Sequence, residues 1–258
     1  MPSQPELRFD ISGAADGERL AFLHGLAGDR TQLSDLIEHL GPRYRTLNID
    51  LPGHGGSRSV PAASIEGLAR SIGPLVAKMF SGPVTMVGHS MGASVCLEIA
   101  ALFPGKVRHV IALDALHQAV LYRRRGRLPS FLMGAALSVA YRPAMRQLLS
   151  ALFMAETPDA VRRRVIDTAL ATPSAVGARL LASLVRWDRD RALVATKVPV
   201  TIIAADATAT ATDIRMLSER CRIISFPRGG HYFPTEFPAE SASAIQEVVR
   251  HATDYQTR

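Results

Sequence analysis

Cysteine, tryptophan and aromatic residues in general are scarce in this chain. Its 258 residues include 2 cysteines and 1 tryptophan, and only 6% are aromatic. The cysteines, Cys96 and Cys221, are too few for the disulfide framework of a small secreted domain, so we expect two buried core residues. No apolar run approaches the ~20 residues that span a bilayer. The first ten residues lack the basic start and apolar centre of a secretion signal. We therefore expect a soluble, cytoplasmic protein.

The motifs of several ligand classes are missing as well. The sequence has no closely spaced set of metal-binding side chains, no glycine-rich phosphate loop and no basic segment interleaved with aromatic residues. We expect no metal, no cofactor and no nucleic-acid partner. With 47% hydrophobic and 21% charged residues, the composition is that of a globular chain. Its length suits one large domain with a buried core.

What the sequence does contain is an alternation of strand-like and helix-like segments. Short apolar runs predict an edge strand over Glu6 to Ser12 and buried strands over Val107 to Leu113 and Val198 to Ala205. A last strand is predicted over Arg222 to Phe226. Apolar residues at helical spacing predict a helix from Ser64 to about Phe80 and a closing helix from Ala239 to His251. Near-continuous apolar strands separated by helices favour a mostly parallel sheet covered on both faces.

The most informative motif is the pentapeptide Gly-His-Ser-Met-Gly at residues 88–92. A strand-like run precedes it and a helix-like run follows it, so Ser90 lies on a sharp strand-to-helix turn that points its hydroxyl away from the sheet. Such a turn needs small flanking residues, which explains Gly88 and Gly92. The backbone N–H of Met91 would then lie at a helix N-terminus, where it can stabilise an oxyanion. The motif predicts that Ser90 is a nucleophile.

His231 is the predicted base that activates this serine. A serine hydroxyl is a weak nucleophile at neutral pH and needs a neighbouring base to take its proton. His231 follows the last predicted strand, and the two preceding residues, Gly229 and Gly230, allow its imidazole to reach Ser90.

The other histidines have different predicted roles. We expect His24 and His54 to brace loops and His89 to pack beside the turn that carries the serine. His117 begins a long helical block, where it could contact substrate, and Tyr232 could line the same pocket or simply pack in the core.

Several segments together resemble the α/β-hydrolase family, in particular its lidded, single-domain serine esterases. The resemblance extends over essentially the whole chain. It implies a sheet of about eight strands, a Ser–acid–His triad in that chain order and an acyl-serine intermediate. It also implies that the backbone N–H of Leu26 is the second oxyanion donor. The matching segments are His24-Gly25, Asp50 to Ser57, Gly88 to Gly92, Val198-Pro199, Gly230-His231 and Glu236 to Pro238.

The acid of the triad is where this sequence departs from the family pattern. The position after the seventh family strand that usually holds the carboxylate is Thr208, which cannot stabilise an imidazolium by charge. Asp206 lies two residues earlier on the same loop. Asp114 ends the sixth family strand, where some family members place their acid, although an aspartate there can also be purely structural. We predict Asp114 as the acid and keep Asp206 as the alternative.

Residues 117–195 interrupt the alternation of strands and helices. Their apolar residues recur at helical spacing, which predicts a helical lid inserted after the sixth family strand, with residues 1–116 and 196–258 as the core. This block contains 13 arginines and 5 acidic residues, whereas the whole chain carries a net charge of +7. These arginines could form a solvated face or contact an anionic surface weakly.

The sequence favours a serine hydrolase that cleaves a carboxylic ester with an apolar acyl or alcohol part. The same triad could instead cleave a thioester, a lactone or a C–C bond, and a weakly catalytic binding protein of this fold also fits. The sequence leaves the oligomeric state open. The predicted lid carries the apolar residues that point to an apolar substrate: Leu132, Met133, Leu137, Met145, Leu149, Phe153 and Met154.

If the arginines of the 117–195 block contact an anionic surface, the protein should bind anionic vesicles better than neutral ones. Added salt should weaken that binding, because it screens charge interactions at exposed sites. Vesicle co-sedimentation at two salt concentrations measures both effects. Equal, salt-independent partitioning to the two kinds of vesicle would assign the arginines to a solvated face.

Overall fold

The computed structural model of the chain describes residues 6–116 and 141–256. Within these ranges, seven strands form one sheet in the order β1-β3-β2-β4-β5-β6-β7. The edge strand β1 is antiparallel to β3, and every other neighbouring pair is parallel. The strands are β1 (Phe9–Ser12), β2 (Glu18–Leu23), β3 (Tyr44–Ile49), β4 (Val84–His89), β5 (Val107–Leu113), β6 (Val200–Ala205) and β7 (Arg222–Phe226).

Helices connect the parallel strands and cover both faces of the sheet. Two short 3-10 helices, Arg30–Leu33 and Gly55–Ser57, lie in the loops after β2 and β3. The α-helices are α1 (Ser34–Leu40), α2 (Ile65–Met79), α3 (Met91–Leu102), α4 (Tyr141–Ser150), α5 (Asp159–Ala171), α6 (Ser174–Arg186), α7 (Arg189–Ala195), α8 (Ala211–Ser218), α9 (Phe233–Glu236) and α10 (Pro238–Gln256).

The alternation of side chains along each strand separates two hydrophobic layers. In β2, Ala21 and Leu23 point into the layer that contains α2 and α3. Leu20 and Phe22 point into the opposite layer, which contains α1 and α10. All four side chains are fully buried. The prediction of a mostly parallel sheet with helices on both faces is therefore confirmed.

The strand count differs by one from the number that the family resemblance implies. The described residues contain seven strands, so Asp114 follows the fifth strand of this sheet and the helical block lies between β5 and β6. The observed edge strand is shorter than predicted and begins at Phe9, because the N–H of Arg8 does not bond to β3. Its N–H donates to Ser57 Oγ, and its carbonyl accepts from the N–H of Asp50.

The described part of the 117–195 block is helical, as predicted. Residues 117–140, including His117, Leu132, Met133 and Leu137, lie outside the described residues. Two helices of the block, α6 and α7, pack against the hydrophobic layer that contains α2 and α3. Their contacts are made by Leu180, Leu184 and Leu193. The guanidinium of Arg189, the first residue of α7, donates to the carbonyl of Leu116 at 2.8 Å, so the last helix of the block is bonded to the residue just before the block.

Among the described residues, no single helix is both long and apolar enough to cross a membrane. Two consecutive helices, Asp159–Ala171 and Ser174–Arg186, are together long and apolar enough, but the chain bends by 102° between them.

Gly88→Ala should destabilise the fold, because a Cβ at this position would lie 2.4 Å from the backbone nitrogen of Ala93. We expect the free energy of unfolding to fall by at least ~1–3 kcal/mol, the usual cost of overpacking. Gly67→Ala is the matched control. Its Cβ would meet nothing closer than 3.4 Å, and it should gain ~0.5–1 kcal/mol because alanine favours a helix over glycine. Urea denaturation measures both values, and equal stability of the two variants would contradict the proposed packing at Gly88.

Candidate active site

Ser90 lies on a strained turn between β4 and α3. Its backbone has φ 52° and ψ −120°, a conformation that costs a non-glycine residue of order 1–3 kcal/mol. The neighbouring glycines make the turn possible. A Cβ on Gly88 would collide with the first turn of α3, and a Cβ on Gly92 would lie 2.3 Å from the carbonyl oxygen of Leu23. The backbone therefore holds the serine at the tip of the turn, where its side chain stays partly exposed.

His231 lies between the serine hydroxyl and a buried carboxylate. Its Nε2 is 3.0 Å from Ser90 Oγ, and its Nδ1 is 2.8 Å from Asp114 Oδ2. Asp114 is fully buried, and only 4% of the surface of His231 is exposed. The structure thus brings together three residues that are far apart in the chain. An imidazole in this position can accept a proton from the hydroxyl while its other nitrogen donates to the carboxylate.

Asp114 is fixed by the end of the sheet. It follows β5 with φ 43°, in the left-handed region that aspartate tolerates better than most residues. Its N–H donates to the carbonyl of Ile203 at 2.8 Å, which extends the pairing of β5 with β6 by one residue. Its Oδ1 accepts from the N–H of Ala205 at 3.0 Å and from the hydroxyl of Thr208 at 2.5 Å. Both carboxylate oxygens therefore have hydrogen-bond donors.

The alternative acid, Asp206, has a different environment. Its Oδ1 accepts a hydrogen bond from the hydroxyl of Ser225 at 2.5 Å, and its N–H donates to the carbonyl of Phe226. These contacts connect the loop after β6 to β7, and both Asp206 and Ser225 are exposed. The carboxylate that lies against His231 is the one from β5.

Two buried histidines, His89 and His24, hold the loops around the site. His89 Nε2 donates to the carbonyl of His231 at 2.8 Å and so fixes the backbone that carries the imidazole. Burial lowers the pKa of His89 to about 3, with a further contribution from the neighbouring His231, so its ring is neutral. His24 Nδ1 donates to the carbonyl of Gly25, and its Nε2 accepts from the N–H of Leu51. Burial, followed by the nearby His54, lowers the pKa of His24 well below its usual value.

The loop after β2 carries Leu26, one of the two predicted oxyanion donors. Within the described part of the chain, neither the N–H of Leu26 nor that of Met91 donates a hydrogen bond. The loop is shaped by Ala27, which has φ 57°, and by the side chain of Gln32, whose Oε1 accepts from the N–H of Gly25 at 2.9 Å. No sequence motif marks Gln32, because only the fold brings its side chain back over the loop.

Tyr232 forms part of an apolar wall next to His231. Its ring lies 5.1 Å from that of Phe153 and 5.2 Å from the imidazole of His231. Burial raises the pKa of the tyrosine hydroxyl, so it stays protonated. A hydrophobic cluster joins Tyr232 to the loop after β2 at Ala27 and to the inserted helices through Tyr141, Met145, Leu149, Val165, Ala169 and Ala178. A small cavity of about 20 Å³ lies in this region, bounded by Leu26, Leu149, Val165 and Tyr232 among others.

The sequence is similar to those of known hydrolases over part of its length. It is 31% identical to the sn-1-specific diacylglycerol lipase ABHD11 of Mus musculus over 106 residues, which are 40% of this chain and 34% of that protein. It is 32% identical to a putative esterase/lipase of Haemophilus influenzae over 95 residues, which are 37% of this chain and 33% of that protein. The chain spans less than half the length of the curated relatives that it matches.

Solved structures share the fold over nearly the full length. A thermophilic esterase from Thermogutta terrifontis aligns with a TM-score of 0.82 and 22% identity and covers 97% of this chain and 96% of its own. An enol-lactonase from Burkholderia xenovorans aligns with a TM-score of 0.77 and 18% identity and covers 96% of each chain. At these identities the likeness concerns the fold alone. A family model described as the alpha/beta hydrolase family matches residues 20–244, and the chain therefore belongs to the alpha/beta hydrolase family.

Proposed function

We propose that the protein is a serine hydrolase that cleaves a carboxylic ester through an acyl-serine intermediate. The observation that carries this proposal is the chain of contacts from Ser90 Oγ through both nitrogens of His231 to the buried carboxylate of Asp114. The strained turn at Ser90 supports it, because a strained non-glycine backbone at such a position is typical of a functional site.

In the first half of the reaction, His231 Nε2 takes the proton from Ser90 Oγ as that oxygen attacks the ester carbonyl carbon. The carbonyl oxygen becomes an oxyanion, which the backbone N–H groups of Leu26 and Met91 stabilise. Asp114 keeps the Nδ1 proton of His231 in place and stabilises the imidazolium that forms. The C–O bond then breaks, and the departing alkoxide takes the proton from Nε2 and leaves as the alcohol.

In the second half, water takes the place of the alcohol. His231 Nε2 accepts a proton from the water as its oxygen attacks the acyl carbon, and the same two N–H groups stabilise the second oxyanion. The bond from the acyl carbon to Ser90 Oγ breaks, and Oγ recovers the proton from His231. The carboxylic acid leaves, and the enzyme returns to its starting state.

The surroundings of the serine favour an apolar substrate group. Tyr232 and Phe153, together with the inserted helices, present carbon surface beside His231. We propose that the 117–195 block acts as the lid over the serine and that the 1–116 and 196–258 segments form the catalytic core. A lid of this kind would exclude water from the acyl group, which strengthens the electrostatic interactions inside the site.

A panel of p-nitrophenyl esters, acyl-CoA thioesters and lactones separates the proposed ester specificity from the alternatives. Under the proposal, the kcat/KM values for esters with an apolar acyl or alcohol part exceed those for the other substrates. A fluorophosphonate probe that labels activated serines provides a test without a known substrate. A weakly catalytic binding protein would not be labelled at Ser90.

Ser90→Ala should remove nearly all hydrolysis. We expect a loss of at least ~10³-fold in kcat, because only binding and oxyanion stabilisation remain when the nucleophile is absent. The fold should persist, since the change deletes a single hydroxyl. Circular dichroism checks the fold, and steady-state kinetics on the best ester measures the loss. Activity within tenfold of the wild type in a folded variant would refute the mechanism.

Asp114→Asn and Asp206→Asn separate the two carboxylates. An amide keeps the shape of the carboxylate but loses its charge and no longer holds His231 in the correct tautomer. We expect Asp114→Asn to lower kcat by roughly 10²–10⁴-fold and Asp206→Asn to lower it by less than about tenfold. Kinetics on one ester, with thermal melting as the control for folding, measures both. The reverse order of the two effects would make Asp206 the acid.

A further inference from the structure

Thr208 occupies the position at which the family pattern usually has the acid, yet it is in direct contact with the acid at another position. Its Oγ1 lies 2.5 Å from Asp114 Oδ1 and 3.0 Å from the carbonyl oxygen of Ala205. The hydroxyl has one proton to donate. A distance of 2.5 Å is within the 2.5–2.7 Å range of hydrogen bonds from a hydroxyl to an ionised oxygen, which are stronger than neutral ones. The proton therefore goes to the carboxylate.

With this contact, the two carboxylate oxygens of Asp114 have different partners. Oδ2 lies against His231 Nδ1, and Oδ1 is held by the loop after β6 through Thr208 and the N–H of Ala205. Asp114 has no exposed surface, so these groups replace solvent at its carboxylate. A buried charge that loses a donor is destabilised much more than an exposed one. Rotation of the carboxylate would break the bonds at Oδ1, so the loop also fixes the plane in which Oδ2 faces the imidazole.

We propose that Thr208 is a positioning residue for catalysis, which holds the Asp114 carboxylate in the orientation and ionised form that His231 requires. The inference rests on the proposed triad and extends it by one residue. At position 208, where the family pattern usually has the acid, this chain has a neutral hydroxyl that donates a hydrogen bond to Asp114, the proposed acid.

A pair of substitutions at Thr208 tests the role of its hydroxyl. Thr208→Val has nearly the same shape without the hydroxyl, and Thr208→Ser keeps the hydroxyl. We expect Thr208→Val to lower kcat by ~10- to 100-fold, the size of effect expected for a hydrogen bond to a charged group, and to leave KM within about twofold. Thr208→Ser should recover most of the lost kcat. The labelling rate of Ser90 with a fluorophosphonate should fall and recover in parallel.

Ser225→Ala is the matched control. It removes a hydroxyl that donates to a carboxylate at the same distance, 2.5 Å, but the acceptor is Asp206. We expect its kcat to stay within about twofold of the wild type, because that carboxylate does not contact His231 in the proposed triad. Thermal melting of every variant shows whether a loss of activity reflects unfolding, and Thr208→Ala replaces the valine variant if the latter fails to fold.

A double-mutant cycle shows whether Thr208 acts through Asp114. If it does, Thr208→Val should cost less than about twofold in an Asp114→Asn background, because the charge that it supports is already absent. A folded Thr208→Val variant with kcat within twofold of the wild type would overturn the inference. A loss of kcat in the double variant equal to the product of the two single losses would also overturn it. If Asp114→Asn alone retains full activity, the proposed triad itself fails, which is a different result.

Discussion

The buried carboxylate of Asp114 is the constraint on which the geometry of the site depends. Its side chain has no exposed surface, and an uncompensated charge in that environment costs several kcal/mol. Two segments provide donors to it: the end of β6 with the loop that follows, and the loop that carries His231. The pairing of β5 with β6 therefore positions the acid, the loop after β7 places the imidazole against it, and the turn at Ser90 completes the line of contacts.

Local pattern was sufficient to predict the sheet, the turn at Ser90 and a histidine placed after the last strand within reach of that turn. Apolar runs gave Val107–Leu113 and Arg222–Phe226 with the bounds that the structure has. The contacts that hold the side chains of the site in place could not be predicted. They join residues that are far apart in the sequence, and sequence separation does not reveal distance in space. Thr208 was noted only as a missing acid, and its contact with Asp114 depends on how a loop folds back 94 residues later in the chain.

The arginines of the inserted block show that a count of residues does not predict what those residues contact. Their number suggested a basic surface, yet several arginines in the described part of the block bond to other residues of this chain. Arg162, Arg164, Arg179 and Arg189 donate to backbone carbonyls, and Arg191 forms a salt bridge with the buried Glu98. A guanidinium has five donors in a rigid plane, which makes arginine effective at tying loops to one another. The number of arginines in the sequence therefore overstates the number of guanidinium donors that are free to bind a partner.

The bond between Arg189 and the carbonyl of Leu116 has a consequence for how this protein can diversify. It joins Leu116, just before the inserted block, to Arg189, near the end of the block, so the segment between these two residues is a closed excursion from the sheet. The entropic cost of such a loop grows only slowly with its length. Insertions, deletions and new side chains within the excursion can thus accumulate without shifting β5 against β6. A lineage could exchange one substrate for another by rewriting that segment and inherit the reaction chemistry unchanged.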